Sequence, residues 1–363
     1  MRGILLASLF LFGCADRKTS DVSLEKLPHK ASMGAVMNID LAIEDRWKRN
    51  FQGAEGWASY VRISIGIESE GWDPDPSQCR FDRLHRLAKA CRAKGYGMVV
   101  TLGGLPTRTS ASAWSKLGMV FNYQGKRYRE MPDSWHRAYV KWHQRAIREL
   151  LQAYGPNAKQ KVRFICLNEP YGRGEDGVVD KLIDVLLKGL LAKDGKVRGC
   201  EIDFPTIWGS DAQLKGQLEW LAGRTQLYPK TFGRLKRIPL NIYLPEIAAR
   251  NSKEAMIQAL SNHAKQSVAS SRSILKGHEP YFGEFGVSRA WDTPSEKWGS
   301  DSARVASDVL LGALEEVRSY VSAISIYQAA EPTEDDELNS GFGLINMAGA
   351  PTVDLGRLRK LSR

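Results

Sequence analysis

Val162-Arg163-Phe164-Ile165-Cys166-Leu167-Asn168-Glu169-Pro170 is the stretch on which the fold turns. An apolar run the length of a buried strand stops abruptly in an amide, a carboxylate and a proline. Pro170 disfavours the helical region for Glu169, so that carboxylate is held extended at the end of the strand.

Working outward, short apolar runs alternate with longer segments of helical period from about Met33 to the C-terminus, which argues for a parallel sheet covered by helices. Candidate strands are 33–38, 60–66, 97–102, 162–167, 205–209, 238–244, 281–285 and 323–328. Between them, Leu84, Leu87, Ala88 and Cys91 form one apolar helical stripe, with Gly95 where a C-terminal cap belongs. Segments 133–154, 180–191, 211–221, 253–275 and 302–320 also read as helical. Eight strands is the number that closes a (β/α)8 TIM barrel. No linker or low-complexity segment interrupts the pattern, so a single α/β domain over 31–363 is expected. An open doubly wound sheet is the alternative; strand counting does not separate the two, but strand-end chemistry does.

In a parallel barrel the C-terminal ends of all strands converge on one cleft. A second carboxylate ends a second apolar strand in Tyr281-Phe282-Gly283-Glu284-Phe285-Gly286, where the flanking glycines are expected to leave room for a ligand. Arg62 stands inside the otherwise apolar Tyr60-Val61-Arg62-Ile63-Ser64. A buried arginine is costly unless paired, so a carboxylate partner is expected.

Asn-Glu-Pro closing the fourth strand and Glu closing the seventh resemble the clan A glycosidases, the retaining (β/α)8 enzymes that include cellulases, mannanases and xylosidases. The resemblance implies hydrolysis of a β-linked oligo- or polysaccharide by double displacement, with Glu169 as catalytic acid/base, Glu284 as nucleophile and no cofactor or metal. In such enzymes the carboxyls lie about 5 to 5.5 Å apart. It also implies that Arg62 hydrogen-bonds the nucleophile, that Asn168 binds the sugar 2-hydroxyl and that Tyr243 lies near the nucleophile. Two positions depart from the pattern. Asn241 stands where several families carry histidine, and Ile326-Tyr327-Gln328 replaces the eighth-strand tryptophan of many members. Tyr327 and Gln328 thereby become the candidates for the nearest sugar subsite. A non-catalytic carbohydrate-binding envelope protein and a transglycosylase using the same site are the competing readings.

Flat aromatic side chains stack on the apolar faces of pyranose rings. Trp208 and Trp291 are the candidate platforms; Trp72, Trp114 and Trp298 fall on the same face, with core packing as the alternative for each. Trp135, Trp142, His136 and His143 read as packing or surface residues of one helix.

The 363 residues are 43% hydrophobic and 26% charged, a globular composition. Lys plus Arg total 52 against 41 acids, for a net charge of +11 and a positive surface field. An acidic glycan or an anionic membrane suits that field, with an excess scattered for solubility as the alternative reading. Nucleic acid is not expected as a partner, because no Lys/Arg-rich run marks a binding patch. At the N-terminus, Arg2, the apolar run 4–12 and Leu11-Phe12-Gly13-Cys14 resemble a bacterial lipoprotein signal. The resemblance implies a signal peptide over 1–13, lipidation of Cys14 and a polar tether over 14–30. It also implies a membrane-anchored exported protein, with Ala15 rather than Asp pointing to the outer membrane. Of the other cysteines, Cys91 and Cys166 read as buried free thiols, and no Cys/His spacing suggests a zinc site.

Overall fold

The computed structural model of the chain describes residues 24–37, 44–65, 80–102, 133–168, 201–244, 252–287, 301–330, 343–346, 348 and 350–363. Its strands are β1 (Ser32–Val36), β2 (Tyr60–Ile65), β3 (Gly97–Leu102), β4 (Val162–Ile165), β5 (Ile202–Asp203), β6 (Ile207–Trp208), β7 (Arg237–Tyr243), β8 (Glu279–Gly286) and β9 (Ala323–Ile326). All pairings between them are parallel, in the order β5-β4-β3-β2-β1-β9-β8-β7-β6.

Nine strands make eight barrel staves because β5 and β6 are halves of one. Pro205, between them, has no N–H to give to a ladder. The segment instead bonds to both neighbours: Phe204 N–H donates to Arg237 O (2.9 Å), Lys236 N–H to Ile202 O (3.0 Å) and Thr206 N–H to Leu167 O (2.9 Å). These bonds close the ring. The fifth stave therefore starts at Ile202, earlier than the expected 205–209, and β4 and β8 are the fourth and seventh staves.

The described helices are α1 (Glu44–Ala54), α2 (Asp82–Ala93), α3 (Asp133–Tyr154), α4 (Ala158–Lys161), α5 (Asp211–Leu227), α6 (Pro229–Phe232), α7 (Lys253–Ile274), α8 (Ser302–Val317) and α9 (Leu355–Ser362). The expected helix 180–191 lies outside the described residues. α9, which the periodicity did not single out, lies against α8 and the end of α1. Asp354 N–H donates to Ser307 Oγ (3.0 Å), Arg318 Nη1 to Leu361 O (2.6 Å) and Arg359 Nη2 to Glu55 O (3.4 Å). α2 ends as its sequence foretold, with Gly95 at φ +78° and its N–H on Arg92 O.

Strand alternation sorts side chains into two cores. Val61, Ile63 and Ile65 face outward and pack with Leu84, Leu87, Ala88 and Cys91 of α2. Tyr60, Val99, Ile165, Tyr281 and Ala323 face inward and plug the lower barrel. The Tyr60 ring fits there only because Gly34 carries no side chain; a Cβ at that position would stand 2.2 Å from the ring. Trp142 is buried with the His143 ring edge-on at 4.8 Å, a packing pair as expected, whereas the side chains of Trp135 and His136 lie outside the described residues. Cys91 and Cys166 are buried free thiols; burial pushes the Cys91 thiol up to about 12 and raises that of Cys166 too. No helix among the described residues is long and apolar enough to cross a membrane.

Candidate active site

The upper half of the barrel interior is polar. Arg62 enters from the middle of β2, 1% exposed, and its Nη1 lies 2.6 Å from Glu284 Oε1 of β8. The same nitrogen donates to Gly283 O (2.5 Å) and reaches Asn241 Oδ1 (3.4 Å). Nη2 donates to Asn168 Oδ1 (2.8 Å) and Nε to Thr101 Oγ1 (3.3 Å). A guanidinium so fully engaged is the condition under which a buried arginine is tolerated. Tyr243, at the end of β7, donates its hydroxyl to Glu284 Oε2. Each oxygen of the Glu284 carboxylate is therefore held by a different donor, which fixes its plane. Ser64, two residues beyond Arg62 on the same face of β2, is exposed, so solvent reaches the strand-end side of this network.

Simple alternation would point Glu284 the wrong way. Tyr281 faces inward, Phe282 outward and Gly283 inward, so Glu284 would face the helices. A bulge prevents this: Leu240 pairs with Phe282 but its neighbour Asn241 pairs with Glu284, and Phe282 and Phe285 oppose Ile324 and Ile326 on the other side. The extra residue resets the phase, as bulges beside functional sites do. Glu284 then points inward, and Phe285 returns to the outer core with its ring stacked on Phe282 at 5.3 Å. The expectation that Gly283 leaves room for a ligand is corrected here. A Cβ on Gly283 would lie 3.0 Å from Asn241 Oδ1, 3.1 Å from Pro239 Cβ and 3.6 Å from Arg62 Nη1, so the space belongs to the network that orients Glu284.

Asn168 accepts at Oδ1 from both Arg62 and Thr206 Oγ1 (3.1 Å). Thr101 and Thr206 are parts of the site that sequence reasoning did not name, and Asn241 was named only for its departure from the family pattern; their signal was a polar residue at an inward position near a strand's end. Glu169 and Pro170, Trp72, Trp114, Trp291 and Trp298, and Cys14 lie outside the described residues. Tyr327 follows β9 with its ring edge-on to Tyr243 (centroids 5.8 Å, 84° between planes). Gln328, joined to it by a cis peptide bond, is fully buried and accepts the Leu344 N–H at its carbonyl (3.0 Å). Trp208 closes β6 and stands 38% exposed at the strand-end face. Gln217 clamps its backbone from both sides, accepting from Trp208 N–H (3.2 Å) and donating to Trp208 O (2.8 Å).

Neither a protein-family model nor a curated protein matches the chain. Solved structures do. A GH39 β-xylosidase from Caulobacter crescentus superposes with a TM-score of 0.61 at 16% identity, over 93% of this chain and 72% of that one. The fold is a (β/α)8 barrel. An intracellular xylanase from Thermoanaerobacterium saccharolyticum gives 0.58 at 8% identity over 94% and 99% of the two chains. A β-1,3-glucanosyltransferase from Rhizomucor miehei gives 0.53 at 13% identity over 88% and 96%. At these identities the likeness is one of barrel architecture, and the chemistry rests on the side chains described above.

Proposed function

We propose that the protein is a retaining β-glycoside hydrolase with Glu284 as nucleophile and Glu169 as acid/base. The observation that carries this reading is the Glu284 carboxylate, turned into the barrel by a bulge and held by Arg62 on one oxygen and Tyr243 on the other. A carboxylate presented edge-up at an open barrel mouth suits attack on an anomeric carbon. In the first step its oxygen bonds to that carbon while Glu169 gives its proton to the departing glycosidic oxygen. In the second, Glu169 takes a proton from water, the water oxygen bonds to the anomeric carbon and the Glu284 carboxylate leaves. Asn168, its oxygen committed to two donors, offers amide N–H groups to the sugar 2-hydroxyl. Tyr327, Trp208 and Trp291 are the proposed substrate-binding complement, whereas Gln328 is fully buried and offers a sugar no surface.

The structural neighbours, a β-xylosidase and a xylanase among them, make aryl β-xylosides the first substrates to test and acidic xylan-type polymers the second. On the N-terminal signal we further propose export and lipid anchoring through Cys14. The decisive experiment is Glu284→Ala assayed with an aryl β-glycoside, alone and with azide. Turnover should vanish, and azide entering the space of the lost carboxylate should restore it with an α-configured glycosyl azide as product. An undiminished Glu284→Ala enzyme sinks the reading. Product sizing on an oligosaccharide distinguishes hydrolysis from transglycosylation.

A further inference from the structure

Among the described residues, part of the positive charge gathers at one end of the barrel. The segments that enter the strands from below carry exposed lysines: Lys30 before β1, Lys94 before β3, Lys161 before β4, Lys236 before β7, Lys276 before β8 and Lys360 at the end of α9. Glu25, Glu55, Glu201, Glu279 and Glu315 are acidic side chains of that face among the described residues, of which Glu201 pairs with Arg163 and Arg237 (3.6 and 3.4 Å) and Glu315 with Arg357 (2.9 Å). The described part of the opposite face is mixed, with Asp82, Asp211, Glu254 and Asp301 at its helix starts beside the exposed Arg80, Arg83 and Arg304. Complementing helix dipoles accounts for basic residues inside a last turn. It does not account for Lys26 and Lys30 ahead of β1, Lys236 ahead of β7 or Arg363 beyond α9.

The N-terminal segment lies across this same face. Leu27 N–H donates to Ser319 O (2.7 Å), Ser32 N–H to Ser322 O (2.8 Å), and Arg272 Nη1 donates to Glu25 O (2.9 Å). The chain from residue 14 to residue 24 spans at most about 35 Å when extended, so whatever holds Cys14 holds this face nearby. We propose that the lysine-rich lower face of the barrel docks on an anionic lipid bilayer, which turns the mouth containing Glu284 away from the membrane. Clusters of Lys and Arg beside a membrane attachment point bind anionic headgroups in this way. The proposal stands on charge placement and not on the catalytic reading.

Sedimentation of the full chain bearing Cys14→Ser, with vesicles of phosphatidylglycerol and phosphatidylcholine or of phosphatidylcholine alone, tests it. The ratio of the two partition coefficients isolates headgroup charge from any apolar insertion by 4–12. At about 0.01 M salt, where the screening length is roughly 30 Å, the ratio should exceed about 10; near 1 M, where it is roughly 3 Å, it should fall to about 1. Lys94→Glu, Lys236→Glu and Lys276→Glu together should abolish the ratio. Lys48→Glu, Lys141→Glu and Lys215→Glu, the same charge change on helix flanks, should lower it less than about threefold. Circular dichroism checks that both triple variants fold, and their aryl glycoside turnover reports separately on the catalytic site. Equal loss in the two triple variants overturns the proposal in favour of net charge alone. So does a ratio near 1 in the unmutated chain. Binding to an acidic polysaccharide resin that the lower-face triple variant loses while keeping its vesicle ratio overturns it in favour of a glycan partner.

Discussion

Two arginine–carboxylate pairs stand inside one barrel, each closed at 2.6 Å: Arg62 with Glu284 in the upper half, Arg163 with Asp203 in the lower. Their surroundings differ. Asp203 is fully buried beneath the inner plug and takes the Tyr281 hydroxyl at 3.0 Å, while the Arg163 guanidinium lies 5.2 Å from the Tyr281 ring. Burial lifts the Asp203 carboxyl above the ordinary range, against the downward pull of Arg163. Glu284 keeps 7% exposure under an open mouth, and the tyrosine that bonds it, Tyr243, comes from the strand's end and not from the plug. The same ion pair is sealed below and less deeply buried above; on the proposed function the first is a joint and the second a tool.

That contrast breaks most visibly in the carboxylates themselves. Glu284→Gln should lower kcat by about 10⁴-fold or more, because an amide is a poor nucleophile, and, since it leaves the buried Arg62 without its carboxylate, should also cost about 3 kcal/mol of stability. Asp203→Asn takes from Arg163 its short partner and leaves it Glu201 at 3.6 Å, and should cost about 1.5 to 3 kcal/mol of stability, read by urea unfolding, with kcat of the folded enzyme changed less than about threefold. A Glu284→Gln protein that keeps its kcat, or a stable Asp203→Asn protein without activity, would erase the distinction.

The sequence foretold the upper pair better than the lower, for a physical reason. Arg62 interrupts a strand that is apolar on both sides, so its burial and its need for an acid were legible from its neighbours. Arg163 follows Val162 at a strand's start and Asp203 belongs to the short β5, so neither stands out as a charge in a core. The staves were legible wherever an apolar run was continuous; Pro205 broke the fifth, and its first half was missed. The inward aim of Glu284 was reached through strand-end position and resemblance, whereas period-2 alternation from Tyr281 contradicts it. A bulge adds one residue without any change in hydrophobicity, so alternation has no means of announcing it. Glycine is the one local trace, and Gly283 had been assigned to the ligand.

The two interior glycines carry the contrast to the next scale of effect. Gly34→Ala puts a methyl carbon within 2.2 Å of the Tyr60 ring, so the plug must shift. We expect a loss of about 3 kcal/mol, at the upper end of the overpacking range, with little change in KM. Gly283→Ala meets Asn241 Oδ1 at 3.0 Å and Pro239 Cβ at 3.1 Å, distances that a shift of Asn241 and of the bulge itself must relieve, carrying Glu284 with the bulge. Here the expected loss is in kcat, about 10- to 100-fold, because misplacement of a nucleophile is felt in the transition state. Urea titration and steady-state kinetics on both variants check the assignment.

The smallest test removes one oxygen from each half. Tyr281→Phe deletes the hydroxyl that shares the Asp203 carboxylate with Arg163, and Tyr243→Phe deletes the one that holds the second oxygen of Glu284. A hydrogen bond to a charged group contributes about 1.5 kcal/mol at the lower end of its range, which corresponds to roughly tenfold in a rate. In the sealed half, Asp203 has no water to turn to, and the loss should appear in unfolding free energy. In the open half, water can reach the freed oxygen of Glu284 in the resting enzyme, so the ground state is little affected. Water is displaced when a sugar enters, and the loss should then appear as roughly tenfold in kcat with Tm unchanged. Equal destabilisation by the two substitutions would mean that the mouth is as dry as the plug, and exposure would no longer separate the pair that reacts from the pair that supports.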